Sequence, residues 1–92
     1  MKLESIILAI LASRAPAAFS EEAIAARVNR SGLHDRKVTA DDCNSALTIL
    51  GGRPMGELVD SDVGPVSKEV VWYATDAGVR QWARDGRMYV GG

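Results

Sequence analysis

Ninety-two residues with a net charge of −1, 47% apolar and 25% charged, fill one domain and leave no room for a second core. That balance excludes a disordered polyelectrolyte, and it gives no overall excess of cations to draw the chain onto nucleic acid. A single cysteine, Cys43, excludes an intramolecular disulfide and suits a reducing compartment.

The first stretch, MKLESIILAILASRAPAA, has Lys2, an apolar run and an Ala-Pro-Ala, the ingredients of a secretion signal. Glu4, however, lies where such a signal is basic, and the uncharged run Ser5–Ser13 is short for a signal and too short for a bilayer. A cytoplasmic protein without membrane contact is expected. Residues 3–13 put Leu3, Ile7, Ile10 and Leu11 on one helical stripe, with Ile6 beside it. Leu8 falls off that stripe, so the helix is expected to be buried on more than one side. Pro16 ends it, because the residue before a proline is pushed out of helical geometry. Residues 17–19 then read as a short extended link.

Ser20 is an N-cap residue, and Glu21 and Glu22 favour the positive end of the helix it opens. Ile24, Ala25 and Val28 face inward along that helix, Arg27 faces out, and Gly32 supplies a left-handed stop. Residues 33–37 (LHDRK) connect to a third helix capped by Thr39. Asp42, three residues on, completes an acidic capping box. Its buried stripe is Cys43, Ala46, Leu47 and Leu50; Asp41, Asn44, Ser45 and Thr48 face away. Residues 55–60 and 66–74 are β-prone runs on either side of SDVGP, and they read as a hairpin. In the second run Val71 and Tyr73 share one face, taken as inward, and Val70 and Trp72 the other. Thr75 caps a last helix with Val79, Trp82 and Ala83 inward and Gly86 at its end. Gly78, early in that helix, marks a close approach by backbone or ring. The whole is an α+β fold: helix, short strand, helix, helix, hairpin, helix, with a core at about 3–86 and a tail at 87–92.

This order, with the step Tyr73–Thr75–Gly78 after the hairpin, resembles the winged helix-turn-helix domain of bacterial PadR-like and ArsR-like regulators. The resemblance implies a single winged-helix domain whose third helix, Thr39–Leu50, enters the DNA major groove while the hairpin wing meets the backbone or the minor groove. It also implies dimerisation through the terminal helices, for which Leu3, Ile6, Ile7, Ile10, Trp82 and Met88–Val90 are the candidates.

Charge is segregated along the chain. Between residues 27 and 37, Arg27, Arg30, Arg36 and Lys37 stand against Asp35 alone. Between 38 and 62, Arg53 stands alone against Asp41, Asp42, Glu57, Asp60 and Asp62. On the third helix only Asn44 is of the type that reads base edges, and the wing carries one lysine, Lys68. Arg27, Arg30, His34, Arg36 and Lys37, with Asn44, Ser45, Thr48 and Lys68, are therefore the candidate residues for DNA or for a partner. Val70 and Trp72 are a candidate partner surface. His34–Asp35 lacks a paired nucleophile, LGGRPMG lacks a P-loop lysine, and no metal-ligand spacing occurs. No catalytic residue, cofactor or metal is expected. Two functions remain: a homodimeric DNA-binding transcriptional regulator of bacterial or phage type, or a winged-helix module that binds protein. The second would be an adaptor, or a mobile-element inhibitor of a host complex such as a nuclease.

Overall fold

A computed structural model describes residues 2–52, 57–66 and 68–88. Its elements are α1 (Leu3–Ser13), β1 (Phe19–Ser20), α2 (Glu21–Ser31), α3 (Ala40–Gly51), β2 (Val59–Val63), β3 (Val70–Ala74) and α4 (Asp76–Arg84). Four helices and a three-stranded antiparallel sheet with a small wing-like hairpin make the α+β class and element order expected above.

The seven residues Ile6 to Ala12 are all buried, so α1 is enclosed on every side, as the off-stripe Leu8 required. It packs against α2, α3, α4 and β3 and forms the centre of the core. Each later helix begins at the hydroxyl expected of it. Ser20 Oγ accepts the Ala23 N–H, Thr39 Oγ1 accepts the Asp42 N–H, and Thr75 Oγ1 accepts the Gly78 N–H. Asp42 returns the bond to the Thr39 N–H at 2.9 Å, closing the capping box. Gly32 ends α2 at φ +69, a backbone that side-chain-bearing residues seldom adopt.

The strand order is β1-β3-β2, with β3 in the middle. The first strand of the hairpin lies later in the chain than the sequence suggested, and the second starts at Val70 rather than at residue 66. Asp60, Ser61, Asp62 and Val63 pair in turn with Tyr73, Trp72, Val71 and Val70, so SDV belongs to the strand and not to the turn. The Gly64 N–H donates to the Glu69 carbonyl at 2.8 Å, and the Lys68 N–H to the Gly64 carbonyl at 3.1 Å. Met55 and Gly56, which opened the expected run, and Arg53 before them lie outside the described residues.

The faces of β3 are reversed from expectation. Trp72 and Ala74 pack onto the core with Val59 and Phe19, whereas the Tyr73 hydroxyl points out and donates to Asp60 at 3.3 Å. The cause lies on the neighbouring strand. Asp60 and Asp62 can face only water, and register places Tyr73 and Val71 on their side of the sheet. Trp72 is therefore packed on the core rather than exposed, whereas Val70 is 43% exposed beyond it.

Two further expectations are corrected. Ile6, Ile7 and Ile10 have no exposed surface and belong to the protomer's own core, so they present nothing to a second copy. Leu3 and Trp82 are partly buried against that core, and Trp82 Nε1 donates to the Met88 carbonyl at 2.6 Å, folding the start of the tail over α4. Tyr89 and Val90 lie outside the described residues. Ala83 is exposed rather than inward, because Gly78, Val79 and Trp82 define the face of α4 turned to the core and Ala83 lies one position round from it.

Candidate interaction surface

The turn from Gly32 to Val38 is held from both ends. Asn29 Oδ1 accepts the Val38 N–H at 2.8 Å, and Asn29 Nδ2 donates to the Val38 carbonyl at 3.0 Å. Within the turn, His34 Nδ1 lies 2.9 Å from the Arg36 carbonyl and 3.6 Å from the Asp35 carboxylate, with the His34 side chain only 16% exposed. Arg30, Arg36 and Lys37 are exposed, and no carboxylate of the described residues pairs with any of them. Shallow clefts of about 340 and 370 Å³ flank His34, Arg36 and Lys37. Arg27 is not part of this patch. Its guanidinium stacks 4.7 Å above the Phe19 ring, turned back to β1. The five residues that sequence groups together thus divide into a basic turn and one arginine on the sheet.

On α3 the outward residues are those expected, and all three polar candidates are already engaged. Thr48 Oγ1 donates to the Asn44 carbonyl at 2.8 Å, and Ser45 Oγ to the Asp41 carbonyl at 3.3 Å, both folding back on their own helix. Asn44 Nδ2 donates to Glu21 Oε2 at 2.6 Å. The same Glu21 oxygen accepts Trp72 Nε1 at 3.2 Å. One carboxylate at the start of α2 thereby joins α3 to the sheet. Sequence reading assigned Glu21 only to the helix dipole, since its two partners lie 23 and 51 residues away.

Behind this face, Cys43 is completely enclosed, and its thiol is pushed up to about 11, chiefly by burial and then by the charges of Asp42 and Glu21. A thiol so protonated is a small apolar filler, not a nucleophile. On the outer side of the hairpin, the charge of Asp60 holds the Tyr73 phenol above its ordinary value, with Asp62 and Glu57 adding to it. The free edge of β2 is also occupied. Asp60 Oδ1 accepts the Ser61 N–H and Asp62 Oδ1 the Val63 N–H, each at 2.8 Å. The wing is therefore acidic on its outer face and edge. Lys68, exposed in the turn at φ +60, is its only cation. On the inner face, Val63 and Val70 stand 53% and 43% exposed, and Val66 at the tip is 91% exposed.

Among the described residues, no group of three His, Cys, Asp or Glu side chains converges as metal ligands, and no helix is long and apolar enough to cross a membrane. Set against known proteins, the chain matches no family model, no curated protein and no solved structure.

Proposed function

We propose that this chain is a winged-helix module that binds protein, with carboxylates on the face that a DNA-reading winged helix would present to the duplex. The carrying observation is Asn44, whose amide is held by Glu21 at 2.6 Å. That bond orients the amide and leaves it a second N–H and its Oδ1 to offer a base edge. The edge would then lie beside a carboxylate in a groove already walled by phosphates. Asp41, one turn before Asn44 on α3, and Glu22, next to Glu21 on α2, are both exposed, and each would repel a phosphate brought to it where a DNA reader gains affinity by releasing counterions. The role that fits is a small adaptor or inhibitor docking on a larger protein assembly.

The test is a titration of labelled mixed-sequence duplex DNA at low salt, read by fluorescence anisotropy. No saturation is expected up to about 100 μM, the weak end of ordinary non-specific binding. A micromolar isotherm that weakens steeply with salt and is lost in Arg30→Glu with Arg36→Glu would overturn the reading. It would install the alternative, a DNA-binding transcriptional regulator. That alternative is favoured by one observation: Arg30, Arg36 and Lys37, just ahead of α3, pair with no carboxylate among the described residues.

A further inference from the structure

The basic turn ahead of α3 is a ridge between two clefts, and His34, Arg36 and Lys37 line both. The cleft of about 370 Å³ adds Asn29 to them. The cleft of about 340 Å³ runs from the turn to α1 and α3, and its apolar lining is Leu3, Val38, Ala46 and Ile49. Ile49 is 51% exposed, one position from the buried Leu50. The turn that presents the cations is braced. Asn29 bonds through both amide atoms to Val38, and the Arg36 carbonyl lies 2.9 Å from His34 Nδ1. Two carboxylates, Glu4 and Asp42, also line the apolar cleft. Each stands in the first turn of its helix, where the positive end of the helix offsets it, and Asp42 accepts the Thr39 N–H at 2.9 Å. Arg36 and Lys37 have no such counterpart, since no carboxylate of the described residues pairs with either. The charge left without an offset in this cleft is positive, and it lies beside an aliphatic surface.

We infer that the cleft between the basic turn and Ile49 binds an acidic segment of a partner protein, with an aliphatic side chain against Ile49 and carboxylates on Arg36 and Lys37. The inference rests on the protein-binding reading above and specifies the partner's chemistry. Charge and apolar lining together select the occupant. A nucleic-acid backbone offers no aliphatic group to Leu3 and Ile49, and it brings unbroken negative charge up to Asp35, whose side chain is 90% exposed between His34 and Arg36. A second copy would offer its acidic wing, where Asp60 Oδ1 and Asp62 Oδ1 already accept edge N–H groups. That contact would also join unlike surfaces head to tail and would not close at two copies. An acidic peptide segment sets discrete carboxylates at the cations, leaves Asp35 in water and covers Ile49.

The probe is a labelled peptide of alternating aspartate and leucine, compared with a version carrying glycine for leucine and one carrying lysine for aspartate. The wild-type chain is expected to bind the first with a Kd below about 1 mM and about tenfold more tightly than either control. Raising salt from about 50 to about 300 mM should weaken that binding severalfold. Arg36→Gln with Lys37→Gln removes both charges and is expected to cost about fivefold in affinity and to flatten the salt dependence. Ile49→Thr keeps a branched side chain and is expected to bind the leucine and glycine peptides alike. Circular dichroism of both variants should match the wild type, because all three positions are exposed. Equal binding of leucine and glycine peptides by the wild type refutes the inference, as does no binding by about 1 mM. A preference for leucine that survives Ile49→Thr refutes it, and so does an affinity that survives the double substitution. Self-association of the chain that the double substitution abolishes would give the cleft to a second copy and refute it too. Where the duplex DNA titration is negative, any of these failures removes this inference alone; a positive DNA titration removes the reading beneath it.

Discussion

Replacing Gly78 with alanine should destabilise the fold even though it improves helix propensity. A Cβ built on Gly78 collides with the backbone carbonyl oxygen of Leu58, and it comes within 3.0 Å of the Leu58 carbonyl carbon and 3.3 Å of Leu8 Cδ1. Leu58 cannot simply move aside. Its carbonyl accepts the Thr75 N–H at 3.1 Å, its N–H donates to the Leu50 carbonyl at 3.1 Å, and Val59 begins β2 immediately after it. Shifting it by an ångström or more strains or breaks at least one of these bonds, worth about 1 kcal/mol, in addition to an overpacking term of about 1–3 kcal/mol. The gain in helix propensity, roughly 0.8–1 kcal/mol, offsets only part of this. The net loss is about 1–3 kcal/mol. In a domain this size each kcal/mol moves Tm by about 4–8 °C, so thermal melting followed by circular dichroism should show a fall of about 4–24 °C. Ala83→Gly, exposed in the same helix, reports propensity alone and should cost at most about 1 kcal/mol. If Gly78→Ala melts at or above the wild type, the close approach of the Leu58 carbonyl to α4 is refuted.

Thr39→Ala removes the acceptor of the Asp42 N–H and half of the capping box, and should lower stability by about 0.5–2 kcal/mol in urea melts. Cys43 is raised from 9.0 to about 11 on folding, so the folded chain keeps a proton that the unfolded chain gives up. Its contribution is complete below pH 9 and drains away as pH rises towards 11; Tyr73, also raised, acts in the same direction. Stability should therefore fall on the alkaline side, with a shallower slope in Cys43→Ala, and a thiol reagent at pH 8 should label Cys43 only when urea is added. Asp60→Ala with Asp62→Ala frees the edge N–H groups of Ser61 and Val63 and should produce concentration-dependent association in light scattering. Asp60→Asn with Asp62→Asn retains both acceptors and should stay monodisperse; if it associates equally, charge guards the edge rather than hydrogen bonding.

What was legible in the sequence was local. The caps at Ser20, Thr39 and Thr75, the stop at Gly32 and the buried stripe of α3 all follow from residues within one helical turn of each other, and they stand as expected. Gly78 was legible for a related reason: glycine in the first turn of a capped helix requires a neighbour, although sequence could not name Leu58. What failed was two-sided. β3 carries bulky apolar residues on both faces, so alternation alone cannot say which faces inward; its partner strand decides, through Asp60 and Asp62. The isoleucines of α1 failed differently. An all-apolar helix reads equally well as an interface or as a centre, and only the surrounding elements show that this one is enclosed.

The part of the candidate site hardest to read was the part that joins its pieces. Asn44, Trp72 and Glu21 each have a sufficient local explanation, as a helix-surface amide, a strand aromatic and a dipole-favouring carboxylate. Their convergence on one oxygen follows only once the register of β3 turns Trp72 inward and the packing of α2 on α3 brings Asn44 within 2.6 Å. That convergence constrains function as well as fold. A helix face whose amide is held by a carboxylate brings that negative charge up to any base edge the amide would read, and to the phosphates beside it. Selection for DNA reading would act against this arrangement, whereas a partner that recognises the carboxylate leaves both hydrogen bonds in place, because a carboxylate has further lone pairs to offer a cation.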